Sequence, residues 1–357
     1  MLTDLSRRDL LKLSALAGLS AAAGGLILPG CASTTQVAGT PASAGRARTL
    51  RLVHFTDSHI QPERQAPRGV ALAMSHIRAN APDAAVMIAG GDMIMDSADA
   101  DHQRAQLQWD LWLRAARDES PLPIEYVCGN HDIWGLNKQA SKTTGVEPQW
   151  GKKWWLDIVG RDRAYKSIDR GRWTVLLLDT VRPLDDKGSY EGRVDDEQFA
   201  WIESQLAAAG AAGKHVLVVG HIPIMCASVV DADGLYIPGD QGGGIAIGKG
   251  AVMMDCFRLC RLFDRYPCVR ACLSGHIHMT DRIDYRGVTY WCNGAVSGGW
   301  WRSPEGNLKR RKEHPRAGDP DLALRPARAN PGYAIVDLYD DGTIDNKYVE
   351  FGWVMVE

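Results

Sequence analysis

Tyr126-Val127-Cys128-Gly129-Asn130-His131-Asp132 is the stretch on which the fold turns: an apolar run stops at a glycine and hands over an amide, an imidazole and a carboxylate. Other runs end the same way. Leu52 to Phe55 leads into Thr56-Asp57-Ser58-His59, Val86 to Ala89 into Gly90-Gly91-Asp92, Val216 to Val219 into Gly220-His221, and Ala271 to Ser274 into Gly275-His276-Ile277-His278. Continuous apolar runs mark strands buried on both faces, and α/β sheets place their chemistry just past the carboxyl ends of such strands. The pattern predicts an α/β fold whose strand ends aim His, Asp and Asn at one place.

Asp57 and Asp92, the imidazoles of His59, His221, His276 and His278, and the amide oxygen of Asn130 make a metal-ligand inventory too large for one ion. His131 stands in addition. In an extended segment residues two apart face the same way, so Asp57 with His59, and His276 with His278, are expected to present paired donors from extended backbone. Two divalent ions beside only two carboxylates leave a positive site, suited to a phosphate and to an activated hydroxide.

In their order, Asp57-x-His59, Gly91-Asp92, Gly129-Asn130-His131-Asp132, His221 and Gly275-His276-x-His278 resemble the calcineurin-like metallophosphoesterases. Any one piece is weak, because Gly-Asp recurs by chance. The full series, each member after an apolar run, is specific, and the resemblance runs from about Leu50 to about Gly299. It implies a two-sheet β-sandwich flanked by helices, and metal-dependent hydrolysis of a phosphoester by water or hydroxide activated between two metal ions. A phosphodiesterase for cyclic nucleotides, glycerophosphodiesters or lipid head groups is the alternative. A membrane-tethered binding protein without catalysis is the alternative of another class.

Carried over by position, the resemblance implies that Asp57, His59, Asp92 and His278 hold one ion and that Asp92, Asn130, His221 and His276 hold the other, with Asp92 as the bridge. His131 would be the proton donor or a stabiliser of the leaving group, and Asp132 would orient it. His and carboxylate ligands admit Fe, Mn or Zn, as divalent or trivalent ions. Members that act on phosphoproteins follow Gly-Asp with a spaced Asp-Arg-Gly, whereas Gly91-Asp92 leads here into Met93-Ile94-Met95-Asp96-Ser97. The phosphate-clamping arginine is missing from that place, which favours a small-molecule phosphoester substrate.

At the amino terminus, Ser6-Arg7-Arg8-Asp9-Leu10-Leu11-Lys12 precedes an apolar run from Leu13 to Leu28. This resembles a twin-arginine export signal and implies the bacterial twin-arginine machinery as a partner; a short buried helix or an ordinary secretion signal are the alternatives. Leu28-Pro29-Gly30-Cys31 looks like a lipoprotein processing box, made imperfect by Pro29, so lipidation of Cys31 and simple cleavage nearby both stand open. The expected location is the periplasm, free or anchored through Cys31. Residues 1–31 are thus read as a signal peptide, and 32–48, rich in Ala, Ser, Thr, Gly and Pro, as a flexible tether. One metallophosphoesterase domain, 49–357, remains.

A net charge of −2 gives no reason to expect nucleic-acid binding. Arg302 to Arg328 is locally basic but Pro-rich and reads as a solvated loop. Helical spacing covers Arg68 to Asn80, Asp101 to Arg117, and a segment opening at Val194 to Glu197 and running through Trp201 to Leu206. Arg172 to Asp179 is a further strand, and Asp341-Gly342 between Tyr333 to Asp337 and Thr343 to Glu350 signals a C-terminal hairpin. Two features read as additions for substrate recognition. One is Ile222 to Ala251, whose glycine-rich centre suits a lid. The other is tryptophan, at Trp134, Trp150, Trp154, Trp155 and Trp300-Trp301, which either forms an aromatic wall or simply packs. Cys256, Cys260, Cys268 and Cys272 are expected to be core thiols rather than a zinc site or a disulfide pair. His54, His76, His102, His215 and His314 fall outside the motif, where surface or core placement suffices.

Overall fold

The computed structural model describes residues 45–230, 235–237, 244–303 and 328–354. The export segment, Cys31 and most of the tether lie outside the described residues. So do the centre of the 222–251 segment, Lys309 to Lys312 and His314.

From the first described residues the chain forms β1 (Arg48–Phe55), α1 (Ala66–Asn80), β2 (Val86–Ala89), α2 (His102–Asp118) and β3 (Ile124–Tyr126). Short helices α3 (Lys138–Ser141) and α4 (Lys153–Val159) lead to β4 (Lys166–Arg170), β5 (Trp173–Leu177), β6 (Val181–Pro183) and β7 (Tyr190–Gly192). Then come α5 (Asp196–Ala211), β8 (His215–Val219), the small strands β9 (Leu235–Ile237) and β10 (Gly244–Ala246), α6 (Cys256–Arg265) and β11 (Val269–Ser274). Strands β12 (Asp281–Tyr285), β13 (Val288–Cys292), β14 (Gly332–Tyr339) and β15 (Ile344–Glu350) complete the described chain.

Two mixed sheets result, ordered β15-β14-β1-β2-β3 and β12-β13-β11-β8-β5-β4. Side chains alternate between their faces. Leu50, Leu52, Val86, Ile88, Val336 and Leu338 of the first sheet meet Val175, Leu177, Leu217, Val219 and Leu273 of the second in one core. Their chain neighbours Val53, Phe55, Met87, Ala89, Val216 and Val218 pack on the outer faces, in the core that also holds the helical residues Val70, Met74, Trp109, Ile202 and Leu259. This is the predicted sandwich, and it explains the continuous apolar runs: both faces of these strands are covered. Truncating a fully buried side chain such as Leu52 should cost about 2–5 kcal/mol.

Helix α2 starts at an Asp101 cap that accepts the Arg104 amide at 3.1 Å, and α5 at an Asp195 cap that accepts Gln198 at 2.7 Å. The hairpin at Asp341-Gly342 joins β14 and β15 as expected. Strands β1, β2 and β3 run parallel to one another, as do β5, β8, β11 and β13. The carboxyl ends of β1, β2 and β3 in one sheet, and of β8 and β11 in the other, therefore gather along one rim. The described cysteines are free thiols; Cys260 reaches the Tyr290 hydroxyl at 3.4 Å and Cys268 the Leu206 carbonyl at 3.7 Å.

Candidate metal centre

Every motif residue sits just beyond a strand end on that rim, but the pairs do not come from extended backbone. Strands β1 and β11 stop at Phe55 and Ser274, and the donors follow in left-handed conformations: Asp57 at φ 56°, His59 at 41°, Asp92 at 53°, His276 at 70° and His278 at 59°. The expectation of extended pairs is corrected in this respect. Tight turns bring alternate residues to one side, and His and Asp are among the side chains that enter this region more readily. Two glycines make room for the approach. A Cβ on Gly275 would lie 2.1 Å from Asp57 Oδ2, and one on Gly91, itself at φ 100°, would lie 2.4 Å from His221 Nδ1.

The side chains converge in two groups. Asp57, His59 and His278 form one: His59 Nε2 is 3.0 Å from His278 Nε2, and His278 Nε2 is 3.2 Å from Asp57 Oδ1. Asp92, His221 and His276 form the other, with His221 Nε2 at 3.1 Å from Asp92 Oδ2 and 3.2 Å from His276 Nδ1. Asn130 Oδ1 joins this second group at 3.1 Å from His221 Nε2. A single oxygen, Asp92 Oδ2, also lies 3.6 Å from His59 Nε2 and so faces both groups.

The hydrogen bonds around these groups suit metal ions. Each carboxylate has one oxygen tied down: Asp57 Oδ2 accepts the Thr56 hydroxyl at 2.6 Å and the His276 amide at 2.9 Å, and Asp92 Oδ1 accepts the His131 amide at 2.8 Å. The other oxygen of Asp57, Oδ1, is buried without a hydrogen bond. His221 Nδ1 pairs with the Gly90 carbonyl at 3.0 Å and His278 Nδ1 with the Gly298 carbonyl at 2.5 Å. A carbonyl accepts only, so each Nδ1 carries the proton and each Nε2 turns a lone pair inward. Buried lone pairs that face one another call for a cation.

Electrostatics agrees. Burial alone would raise Asp57 and Asp92, but the surrounding imidazoles, His278 and His221 foremost, hold both below the usual carboxylate range. Burial pushes His59 down to about 4 and His276 down to about 3, leaving them neutral donors near pH 7. His221 is driven the other way. Burial opposes its charge, yet the negative charge of Asp92 and Asp57 lifts it to about 10, because these carboxylates draw a cation to the Nε2 position, a proton or a metal ion in its place.

His131 lies partly open on the same floor, its ring edge-on to His59 at 4.7 Å and its Nε2 4.0 Å from Asp92 Oδ2. That nitrogen can also group with His59 and Asp92 as a donor set. Asp132, expected to orient His131, does not. Its fully buried carboxylate accepts the amides of Asp92 and Met93 at 2.9 Å, Ile94 at 3.4 Å and Gly129 at 2.8 Å, while His131 Nδ1 has no partner. Asp132 instead staples the turn after β3 to the turn after β2. Asp132→Ala would strand buried amides at about 1–3 kcal/mol each. We expect a lowered Tm and weakened metal retention with no selectivity for leaving group, measured by thermal denaturation and metal analysis.

A cavity of about 460 Å³ opens over the centre, lined by His59, Asp92, Asn130, His131, His276 and His278, and walled by Tyr190, Trp300 and Arg328. The tryptophans named above mostly pack: Trp134 and Trp154 meet at 5.1 Å, Trp155 is buried, and Trp150 donates to the Gly135 carbonyl at 3.0 Å. Trp300 is the one of them on the cleft wall. Arg328, read from sequence as the end of a solvated loop, also lines the cleft, because Ala329 N–H donates to the His278 carbonyl at 2.8 Å and docks the segment there. Gly248, Gly250 and Ala251 bring the end of the 222–251 segment to the cleft as well.

Sequence reasoning missed the supporting residues. Thr180 Oγ1 accepts the amides of His221 at 3.1 Å and Ile222 at 3.0 Å, and His54 is buried beneath the centre, bonded to Asn293 at 2.9 Å. Nothing in the local sequence of Thr180 announces this. His54 was legible only as a polar residue inside an apolar strand. His76 bonds the Tyr333 hydroxyl at 2.9 Å, His102 bonds Gln149 at 2.9 Å, and His215 reaches the Asp340 carbonyl at 3.2 Å.

A two-sheet sandwich with this donor set at its rim defines a binuclear metallohydrolase. The family profile of the calcineurin-like phosphoesterases matches residues 50–280, and the chain belongs to that family. It is 25% identical over 254 residues to the 3′,5′-cyclic adenosine monophosphate phosphodiesterase CpdA of Escherichia coli (strain K12), covering 68% of this chain and 74% of that protein. It is 24% identical over 241 residues to the protein of the same name from Pseudomonas aeruginosa, covering 64% of this chain and 70% of the other. The fold is similar to that of a dimetal phosphatase from Danio rerio, with TM-score 0.53 and 12% identity over 86% of this chain and 100% of that one. The protein is a metallophosphoesterase, a hydrolase acting on phosphoesters.

Proposed function

We propose that this enzyme cleaves a small nucleotide phosphodiester, with cyclic nucleotides as the class to test first. The observation that carries this reading is the cleft: 460 Å³ above the metal-binding floor is far more than a phosphoryl group needs and lies in the range that holds a drug-sized ligand. Similarity to cyclic AMP phosphodiesterases over most of the chain supports it. The missing arginine after Gly91-Asp92 argues against a phosphoprotein substrate.

Asp57, His59, His278 and Asp92 would hold one ion, and Asp92, Asn130, His221 and His276 the other, drawn from Fe, Mn or Zn. When bound, the ions supply positive charge to the phosphoryl oxygens and acidify a water so that it can attack near neutral pH. The chain's own residues do the rest. In His131, Nδ1 is enclosed, which leaves Nε2 as the ring nitrogen toward the cleft, the atom from which it hands a proton to the departing oxygen. Tyr190, edge-on to His276 at 6.2 Å, and Trp300, 4.5 Å from His278, wall the floor and limit the poses of the leaving group. Turnover of the metal-loaded protein on matched phosphomonoesters and phosphodiesters, cyclic AMP included, tests the reading. A preference for diesters is expected, and faster turnover of every monoester would refute it.

Export by a twin-arginine route, to a periplasmic or Cys31-anchored form, is proposed on Ser6-Arg7-Arg8 and the apolar run behind it. Changing Arg7 and Arg8 to lysine together should leave active enzyme in the cytoplasmic fraction. Continued export of that variant would indicate an ordinary secretion signal.

A further inference from the structure

Arg328 is held at the mouth of the cleft by the turn that carries the histidine pair. Its Nη1 donates to the Ile277 carbonyl at 2.6 Å, and the next amide, Ala329, donates to the His278 carbonyl at 2.8 Å. Two successive residues are thus pinned to the turn between His276 and His278. The guanidinium lies 5.6 Å from the Trp300 ring centroid, and Trp300 in turn stacks on His278 at 4.5 Å and 33°. His278 and Arg328 thus both lie against the Trp300 ring, and all three line the same cleft. The turn that presents Trp300 is unusual for so bulky a residue: Trp300 has φ 59° and Trp301 φ 61°. It is anchored from behind, because the Trp301 indole is buried and donates to the Ser58 carbonyl at 2.8 Å.

We propose that Arg328 supplies the phosphate-clamping guanidinium that is missing after Gly91-Asp92, donating to a non-bridging oxygen of the scissile phosphodiester, with Trp300 as its positioning residue; the substrate class rests on the phosphodiesterase reading above. Among the described residues lining the cleft, Arg328 is the one with a permanent positive charge. A guanidinium carries five donors in a rigid fork that matches phosphate oxygens, and it lies well against an aromatic face. Lysine offers the charge without the fork. The clamp comes from the far end of the chain, beyond the family match at 50–280.

The test uses the metal-loaded full chain, cyclic AMP as substrate and inorganic phosphate as a competitive inhibitor. Arg328→Ala is expected to raise KM and the phosphate inhibition constant together by about ten- to a hundredfold, the scale of a lost hydrogen bond to a charged group, with a smaller change in kcat and unchanged metal content. Arg328→Lys should recover part of both, and Trp300→Leu should raise both by a smaller factor. If phosphate inhibition is unaltered in Arg328→Ala, the clamp is wrong while the phosphodiesterase reading stands. If the wild type prefers monoesters but Arg328→Ala still weakens phosphate inhibition, the clamp stands and the diester reading fails. Loss of metal in both Arg328→Ala and Arg328→Lys would make Arg328 a structural support of the His276–His278 turn and overturn the proposal.

Discussion

Asp92→Ala is expected to lose bound metal and hydrolysis together, with activity down by about three orders of magnitude or more. The size follows from the geometry. Asp92 Oδ2 is the one oxygen that faces both donor groups, 3.1 Å from His221 Nε2 and 3.6 Å from His59 Nε2, so its removal takes a ligand from each. Several kcal/mol of charge stabilisation at the phosphoryl group would go with it, and each 1.4 kcal/mol is about tenfold in rate. Although the carboxylate is buried, the neighbouring imidazoles, His221 foremost, hold it below the usual carboxylate range. His102→Ala, on an exposed residue away from the cleft, should spare metal and activity alike. Metal analysis beside kinetics on the two variants checks this; two retained ions in Asp92→Ala would end the bridging assignment.

His131→Ala is expected to keep its metal and to lose rate in proportion to how poor the leaving group is. A good leaving group departs without its proton, whereas an alkoxide needs one, and general acid catalysis contributes about 10² to 10⁴ in rate. The variant should therefore lose far more on an alkyl phosphoester than on an activated aryl one. Equal losses on both would turn His131 into an electrostatic donor to the phosphoryl group. Loss of metal would place it among the ligands, a position its Nε2 could reach alongside His59 and Asp92.

The sandwich was legible because its physics is written locally. Strands covered on both faces have to be apolar throughout, and the polar residue that breaks each run marks the rim, as Asp57 does after Phe55 and His221 does after Gly220. The convergence of the seven candidate ligands was readable for the same reason. The backbone that delivers them was not, since an Asp-x-His spacing is compatible with an extended pair and with the left-handed turns found here. Asp132 misled because its position beside His131 suggests a partner. The turn instead folds its carboxylate back onto the amides of Asp92, Met93, Ile94 and Gly129, a contact made between separate strand ends. Trp300 and Arg328 reach the cleft only through a turn at positive φ and a docking bond to His278, neither of which leaves a mark in local sequence.

The central claim is a pair of metal ions sharing Asp92, and anomalous diffraction from crystals of the metal-loaded protein tests it most directly. Two peaks are predicted on either side of Asp92 Oδ2, one against Asp57, His59 and His278, the other against Asn130, His221 and His276. A single peak at full loading, or a second peak held away from Asp92, would contradict it.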